Sequence, residues 1–284
     1  MIDSKNGDYR NISNIIKVYP NMLQIVVYHN DYQVSINRSH KKQLNKQITE
    51  TARQDSIHRS LRRSTVSVKD IIVTNKWDYW CTFTFNPNKV NRYDFDKVST
   101  KMHLWLKRQP DLKYIIVPEQ HKDGAFHFHA LISNYTGSLK PTKKRTKHGQ
   151  SIFSANFGSG FHEFVKLDDN NLAIAQYMTK QYMTKNNLML RGRKRYWTSK
   201  GLDKPHTLIN GLDLYGLWGL VKQQKPTYIT DSYELHNVTH HLELVDYAQQ
   251  TAMHLPARTP TPEIPQTTYR SDPVKRSVMS MKSS

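Results

Sequence analysis

One cysteine, Cys81, is all the thiol chemistry this 284-residue chain carries. A disulfide framework and a cysteine-ligated zinc site are both excluded. Cys81 sits in an apolar strand and reads as a small buried hydrophobe, not a nucleophile. Long apolar runs are missing too. No stretch approaches the ~18 residues of a membrane span, and the N-terminus lacks the charged-then-apolar pattern of a secretory signal. The chain is expected in the cytoplasm. Acidic residues are scarce: 23 Asp and Glu stand against 42 Lys and Arg, a formal net charge of +19. An excess of that size favours a polyanionic partner, usually nucleic acid. The charge is clustered at residues 38–63, 140–147 (KPTKKRTK) and 191–195 (RGRKR). No cluster lies on a strongly apolar helix, so an anionic membrane is a poorer partner. The sequence contains no GxxxxGK followed by Ser or Thr, which excludes a P-loop ATPase or helicase module in this chain.

What is present is concentrated in one run, Glu119-Gln120-His121-Lys122-Asp123-Gly124-Ala125-Phe126-His127-Phe128-His129-Ala130-Leu131. Side chains two apart on an extended strand share a face. His127 and His129 therefore project together, while Phe128 points the other way into a core. Two imidazoles converging from one strand make half of a divalent-metal site. Glu119 is the third candidate ligand, and the turn decides whether it can reach. Residues 114–118 and 125–132 read as the strands of a hairpin. A two-residue Asp-Gly turn pairs Gln120 with His127. A three-residue loop, Lys122-Asp123-Gly124 with the glycine left-handed as a bulge, pairs Glu119 with His127 instead. The second register puts the carboxylate on the histidine face and is the one expected. A bare H-x-H is more often the polar face of a half-exposed strand, so the rest of the chain must tell the two apart.

With 284 residues, one catalytic domain with extensions is the natural prior. Residues 77–85 (WDYWCTFTF) alternate: Tyr79, Cys81, Phe83 and Phe85 face one way, Trp80, Thr82 and Thr84 the other, and Asn86-Pro87-Asn88 ends the strand. An amphipathic helix follows over 94–108, with Phe95, Val98, Met102, Trp105 and Leu106 at helical spacing. Residues 133–150 read as a polar, basic loop. Residues 152–167 read as a second hairpin around Gly158-Ser159-Gly160, and 172–186 as a helix capped by 168–171. This order predicts an α+β domain with one central antiparallel sheet flanked by helices. Around it come short strands before residue 30, an exposed basic arm over 39–64, an accessory hairpin over 227–245, and a Pro- and Thr-rich tail from 255 that reads as disordered. The chain thus divides into N-terminal strands and arm (1–69), a catalytic domain (70–205), accessory elements (206–250) and a tail (251–284).

The helix after the second hairpin carries Tyr177-Met178-Thr179-Lys180-Gln181-Tyr182-Met183-Thr184-Lys185. Each tyrosine has a lysine three residues on, on the same helical face. A phenol of pKa roughly 10 is a weak nucleophile at neutral pH. A neighbouring ammonium and a metal polarising the target phosphate would ease its attack. The FTFNP segment at 83–87, the Glu119/His127/His129 group and the Tyr-x-x-Lys helix stand in the order found in rolling-circle replication initiators, the HUH endonucleases. Over residues 57–205 the chain resembles the phage and plasmid branch of that family, related to gene II and gene A type initiators. VPEQHKDGAFHFHAL at 117–131, the YMTK repeats and KRYWTSKGLDKP at 194–205 carry the resemblance.

The resemblance implies a ferredoxin-like HUH endonuclease domain that acts on single-stranded or extruded origin DNA. A tyrosine would attack a phosphodiester, form a 5′-phosphotyrosine bond and release a 3′-hydroxyl that primes synthesis. A second tyrosine or a water would resolve the adduct. Glu119, His127 and His129 would hold Mg²⁺ or Mn²⁺, the imidazoles favouring Mn²⁺ in intrinsic affinity. A host helicase and DNA polymerase in a bacterial cytoplasm are the implied partners. Tyr177 is favoured as primary nucleophile and Tyr182 as second, with Lys180 and Lys185 beside them. The chain departs from the family in one respect. Two-tyrosine relatives show Tyr-x-x-Lys-Tyr, whereas Gln181 lengthens the spacing here to five. On a regular helix that sets the two hydroxyls about 140° apart unless a bulge absorbs the extra residue.

For DNA contacts, Arg191, Arg193 and Arg195 with Tyr196 and Trp197 combine charge with aromatic faces, which suits a flexible strand. A basic turn with core aromatics is the equal alternative. Lys143, Lys144 and Arg145 are expected to touch phosphates from their loop, and Thr84 and Asn86 to shape the site. The same residues allow a relaxase or a single-tyrosine transposase of the same chemistry. They also allow a non-catalytic DNA-binding replication regulator, though a pure binder has no need of metal ligands. A three-histidine zinc site of His121, His127 and His129 ranks last.

Overall fold

Alternation at residues 79–85 places a strand with one apolar and one polar face at the middle of the molecule. The computed structural model describes residues 9–35, 49–155, 157–168, 171–180, 193–214, 216–223 and 225–238. In chain order these form β1 (Tyr9–Tyr19), β2 (Met22–Ser35), α1 (Glu50–Thr74), β3 (Tyr79–Phe85), α2 (Phe95–Lys107), β4 (Lys113–Gln120), β5 (Phe126–Ser133), β6 (Lys140–Arg145), β7 (Ser151–Ser154), β8 (Gly160–Lys166), α3 (Asn171–Met178), β9 (Trp197–Thr198), β10 (His206–Ile209), α4 (Gly211–Leu214), α5 (Trp218–Gln223), β11 (Tyr228–Ile229) and β12 (Tyr233–Val238).

The chain is α+β, but it builds two antiparallel sheets where the sequence predicts one. The larger runs β6-β7-β8-β3-β5-β4-β9 and the smaller β10-β1-β2-β12-β11. In the smaller sheet, the long β1–β2 hairpin pairs with β10 and β12, strands some two hundred residues downstream. Segments 1–69 and 206–250 thus share one sheet, and the division at 69/70 falls inside α1. The expected tail, 251–284, lies outside the described residues.

One face of the large sheet is sealed. Cys81, Phe83, Phe85, Phe126, Phe128, Ala130 and Phe164 pack under Phe95, Val98, Met102, Trp105 and Leu106 of α2. Cys81 is fully buried and its thiol is pushed well up by burial, which leaves it inert. Helix α2 starts where Asp94 accepts hydrogen bonds from the Asp96 and Lys97 amides at 3.0 and 3.2 Å. A cap of this kind is worth about 1 kcal/mol.

The opposite face is covered at one end only. Val68, Ile71 and Ile72 of α1, with Ala175 and Met178 of α3, close over Ile115, Val117 and Leu131. The expected arm is therefore the front half of a 25-residue helix. Its first turns are exposed, and it becomes buried where Val68 begins an apolar stripe. Asp70, on the same helix, joins the two sheets: it accepts from Lys17 Nζ at 2.7 Å and Tyr19 Oη at 2.6 Å. Burial, then the Asp70 charge, raise the Tyr19 phenol pKa and keep it a donor.

Residues 133–150 contain an edge strand, β6, in place of the expected loop. Its side chains are nearly all exposed, so it carries no apolar alternation for a sequence reading to detect.

Candidate active site

The uncovered end of the second face is where the chemistry-bearing residues meet. In the β4–β5 hairpin Glu119 pairs with His127, the register of the three-residue loop. Gly124 takes φ +87°, and its amide donates to the His121 carbonyl at 2.9 Å. Asp123 Oδ1 accepts from the Ala125 amide at 3.0 Å, a bond that holds its carboxyl below the usual range. The closely pinned turn fixes which side chains share the face.

Strand β3 lies beside β5 and sets Thr82 against His129 and Thr84 against His127. Thr84 Oγ1 stands 3.0 Å from Nδ1 of His127, and Thr82 Oγ1 3.4 Å from Nδ1 of His129. On the other side of the ring, His129 Nε2 lies 2.6 Å from Glu119 Oε2. At that distance two lone pairs would repel, so a proton lies between them. The His121 ring stacks on His127 with centroids 3.8 Å apart. Burial, then the neighbouring His121 and His129, push His127 down to about 4, against an opposing pull from Glu119. His127 is therefore neutral at physiological pH, the state in which an imidazole can bind a cation.

Among the described residues, no three His, Cys, Asp or Glu side chains already stand in position to share one ion. Glu119 and His129 are closed on each other, and a cation would have to displace the proton between them. The donor chemistry nevertheless fits a divalent ion: one carboxylate, two imidazoles, and a hydroxyl on each Nδ1 that orients the ring as metal-bound histidines require. Trp80 connects this group to the tyrosine helix. Its ring centroid lies 5.8 Å from that of His129 and 5.7 Å from that of Tyr177. Tyr177 is 55% exposed. Just beyond it the helix widens to π geometry at residues 179 and 180, a bulge able to absorb one extra residue of phase. Lys180 is exposed. Tyr182, Lys185 and Arg191 lie outside the described residues.

The expected DNA-contacting residues scatter. Trp197 faces the α2 side, its ring against His103, Phe128 and Phe95. It is a core aromatic on the face away from the histidines, because its position opposite Ile116 sets that parity. Arg193 is bonded to Asp96 through both guanidinium nitrogens and lies over the Phe95 ring, so it braces α2. Arg195 is half-buried, and Tyr196 donates to Ser67 Oγ at 2.8 Å. Lys143, Lys144 and Arg145 ride on β6. Lys144 reaches Glu163 at 3.0 Å, and Arg145 reaches Ser151 Oγ at 2.7 Å. Sequence reasoning does not single out Thr82, Trp80 or Phe161 as site residues. Thr82 and Trp80 share the parity of Thr84 on β3, a signal that gains meaning only once β3 is known to neighbour β5.

Fold and site together define an α+β protein with an imidazole–carboxylate group on an open sheet face, beside an exposed tyrosine on a helix. Residues 78–187 match the family model of the ORF2-type Replication-associated protein, which supports a role in DNA replication. The matched region is less than half of the chain, and it runs from the start of β3 through the hairpin to the tyrosine helix. Neither the curated proteins nor the solved structures yielded a match. No described helix is long and apolar enough to cross a membrane.

Proposed function

We propose that the chain is a rolling-circle replication initiator of the HUH type, which nicks and rejoins single-stranded or extruded origin DNA through a covalent tyrosine intermediate. The observation that carries this reading is that Glu119, His127 and His129 share the open sheet face while Trp80 links His129 to an exposed Tyr177. Glu119, His127 and His129 would hold a Mg²⁺ or Mn²⁺ ion, which when bound polarises the scissile phosphate and stabilises its charge. Thr82 and Thr84 keep the imidazoles oriented. Tyr177 Oη attacks phosphorus and loses its proton. The new bond is a 5′-phosphotyrosine, the bond to the 3′ oxygen breaks, and that oxygen leaves as a 3′-hydroxyl able to prime a polymerase. The two residues of π geometry after Tyr177 suit a second nucleophile at Tyr182, with Lys180 and Lys185 beside the phenols. A host helicase and polymerase in a bacterial cytoplasm would complete the machinery.

The test is covalent trapping. Purified protein with Mn²⁺ and single-stranded DNA spanning its replicon should give a denaturant-resistant adduct. Adding chelator should abolish it, and Tyr177→Phe should reduce it strongly. Binding without any adduct, over the whole replicon and with both metals, would favour the non-catalytic regulator.

A further inference from the structure

The nine phenylalanines divide unevenly. Eight pack into the core around α2, whereas Phe161 is 71% exposed. It stands on the open face of the large sheet, at the start of β8, directly across from Thr84. Thr84 is the residue whose hydroxyl meets His127. An exposed phenylalanine forfeits about 1.5–3 kcal/mol of burial, and a lone surface apolar residue would need no explanation. Three observations set this one apart.

It is held firmly. The Gly158-Ser159-Gly160 turn before it is fastened to the end of β3: the Asn86 amide donates to the Ser159 carbonyl at 3.0 Å, and Lys89 Nζ donates to the Gly158 carbonyl at 2.9 Å. Gly160 lets the strands approach so closely that a Cβ there would lie 1.9 Å from the Thr84 carbonyl oxygen. The ring is thus presented from a rigid strand next to the site. Basic residues lie alongside: on the adjoining strands Lys144 neutralises Glu163, two residues from Phe161 on the same face, and Lys143 and Arg145 flank Lys144. The chain as a whole carries a formal charge of +19.

We propose that Phe161 is a base-stacking platform: one unpaired base of single-stranded DNA lies on its ring, which seats the neighbouring phosphate over Thr84 and His127. The inference rests on the nicking reading for its substrate class, but the stack does not require catalysis. A flexible strand is gripped by aromatic faces as well as by charge, and the stack tolerates any base because every base has a π face.

The test measures binding without metal, so that it stands apart from cleavage. A fluorescein-labelled mixed-sequence 20-mer is titrated by anisotropy at several salt concentrations against wild type, Phe161→Ala and Phe161→Trp. A matching strand of abasic sugar-phosphates is titrated in parallel. Phe161→Ala should weaken the intact strand about tenfold, as loss of one stack would, without changing the salt slope, because no phosphate contact is lost. Phe161→Trp should bind like wild type, and the abasic strand should not distinguish the three proteins. Equal affinity of wild type and Phe161→Ala for the intact strand would overturn the proposal, as would an equal loss on the abasic strand. If the stack is found and no covalent adduct ever forms, the nicking reading fails alone. If adduct forms and Phe161→Ala binds normally, the stacking proposal fails alone.

Discussion

The two faces of the large sheet are built from the same strands and do opposite work. Along β5, Phe126, Phe128, Ala130 and Ile132 lie under α2, and His127 and His129 turn outward between them. On the sealed face, phenylalanines pack edge to face, such as Phe85 on Phe128 at 5.6 Å. On the other, α1 and α3 cover only the Ile115, Val117 and Leu131 end. The period of two lets one strand carry both the stability and the chemistry, provided the register never slips. Histidines show the contrast best. His127 and His129 have their Nδ1 atoms beside threonine hydroxyls, while His162, across β3 from Phe83 on the sealed side, has no hydrogen bond of normal geometry at either ring nitrogen.

Four substitutions or conditions would break or sharpen that comparison. Phe128→Ala removes a fully buried ring and should cost about 3–5 kcal/mol in urea unfolding. One residue along, on the open face, His129→Ala should lower the rate of adduct formation about 10²–10³-fold, read on denaturing gels. It should shift the urea midpoint far less than Phe128→Ala does. If the two variants behave alike, the faces are not functionally separate.

Acid should expose the histidine on the sealed face. Burial holds folded His162 down to about 4, against an unfolded value of about 6.5. The unfolded chain therefore binds the proton more readily. The contribution of neutral His162, on the order of 2 kcal/mol once solvent screening is allowed for, is complete above pH ~6.5 and is lost as pH falls toward 4. Urea midpoints measured with chelator present should decline over that window, and His162→Leu should make the decline shallower. The smallest effect is expected at Thr84→Val, which keeps the strand but removes the group facing His127 Nδ1. Mn²⁺ affinity should fall about 10–100-fold, by titration, with stability nearly unchanged.

Much of the site is legible in the sequence because its information is local. Asp123-Gly124 and the alternation on either side lead to the Glu119–His127 register, and Asp94 with the apolar stripe behind it marks α2. The rest depends on partners distant in sequence. Nothing near residues 9–35 announces strands two hundred residues away, so the second sheet is invisible from its own strands. Nothing in RGRKRYW says that Arg193 will meet Asp96 or that Trp197 will face α2. Strand β6 reads as a loop because an exposed edge needs no apolar face. Phe161 gains meaning only when the neighbours of β8 show which way it points.

The central claim is that the open face of β5 holds one divalent cation beside Tyr177. Titrating the protein with Mn²⁺ and counting free ion by electron paramagnetic resonance tests it most directly. The account predicts one Mn²⁺ bound per chain, with that site lost in His127→Ala and His129→Ala and retained in Phe161→Ala. Absence of a bound ion, or a site indifferent to both histidines, would contradict it.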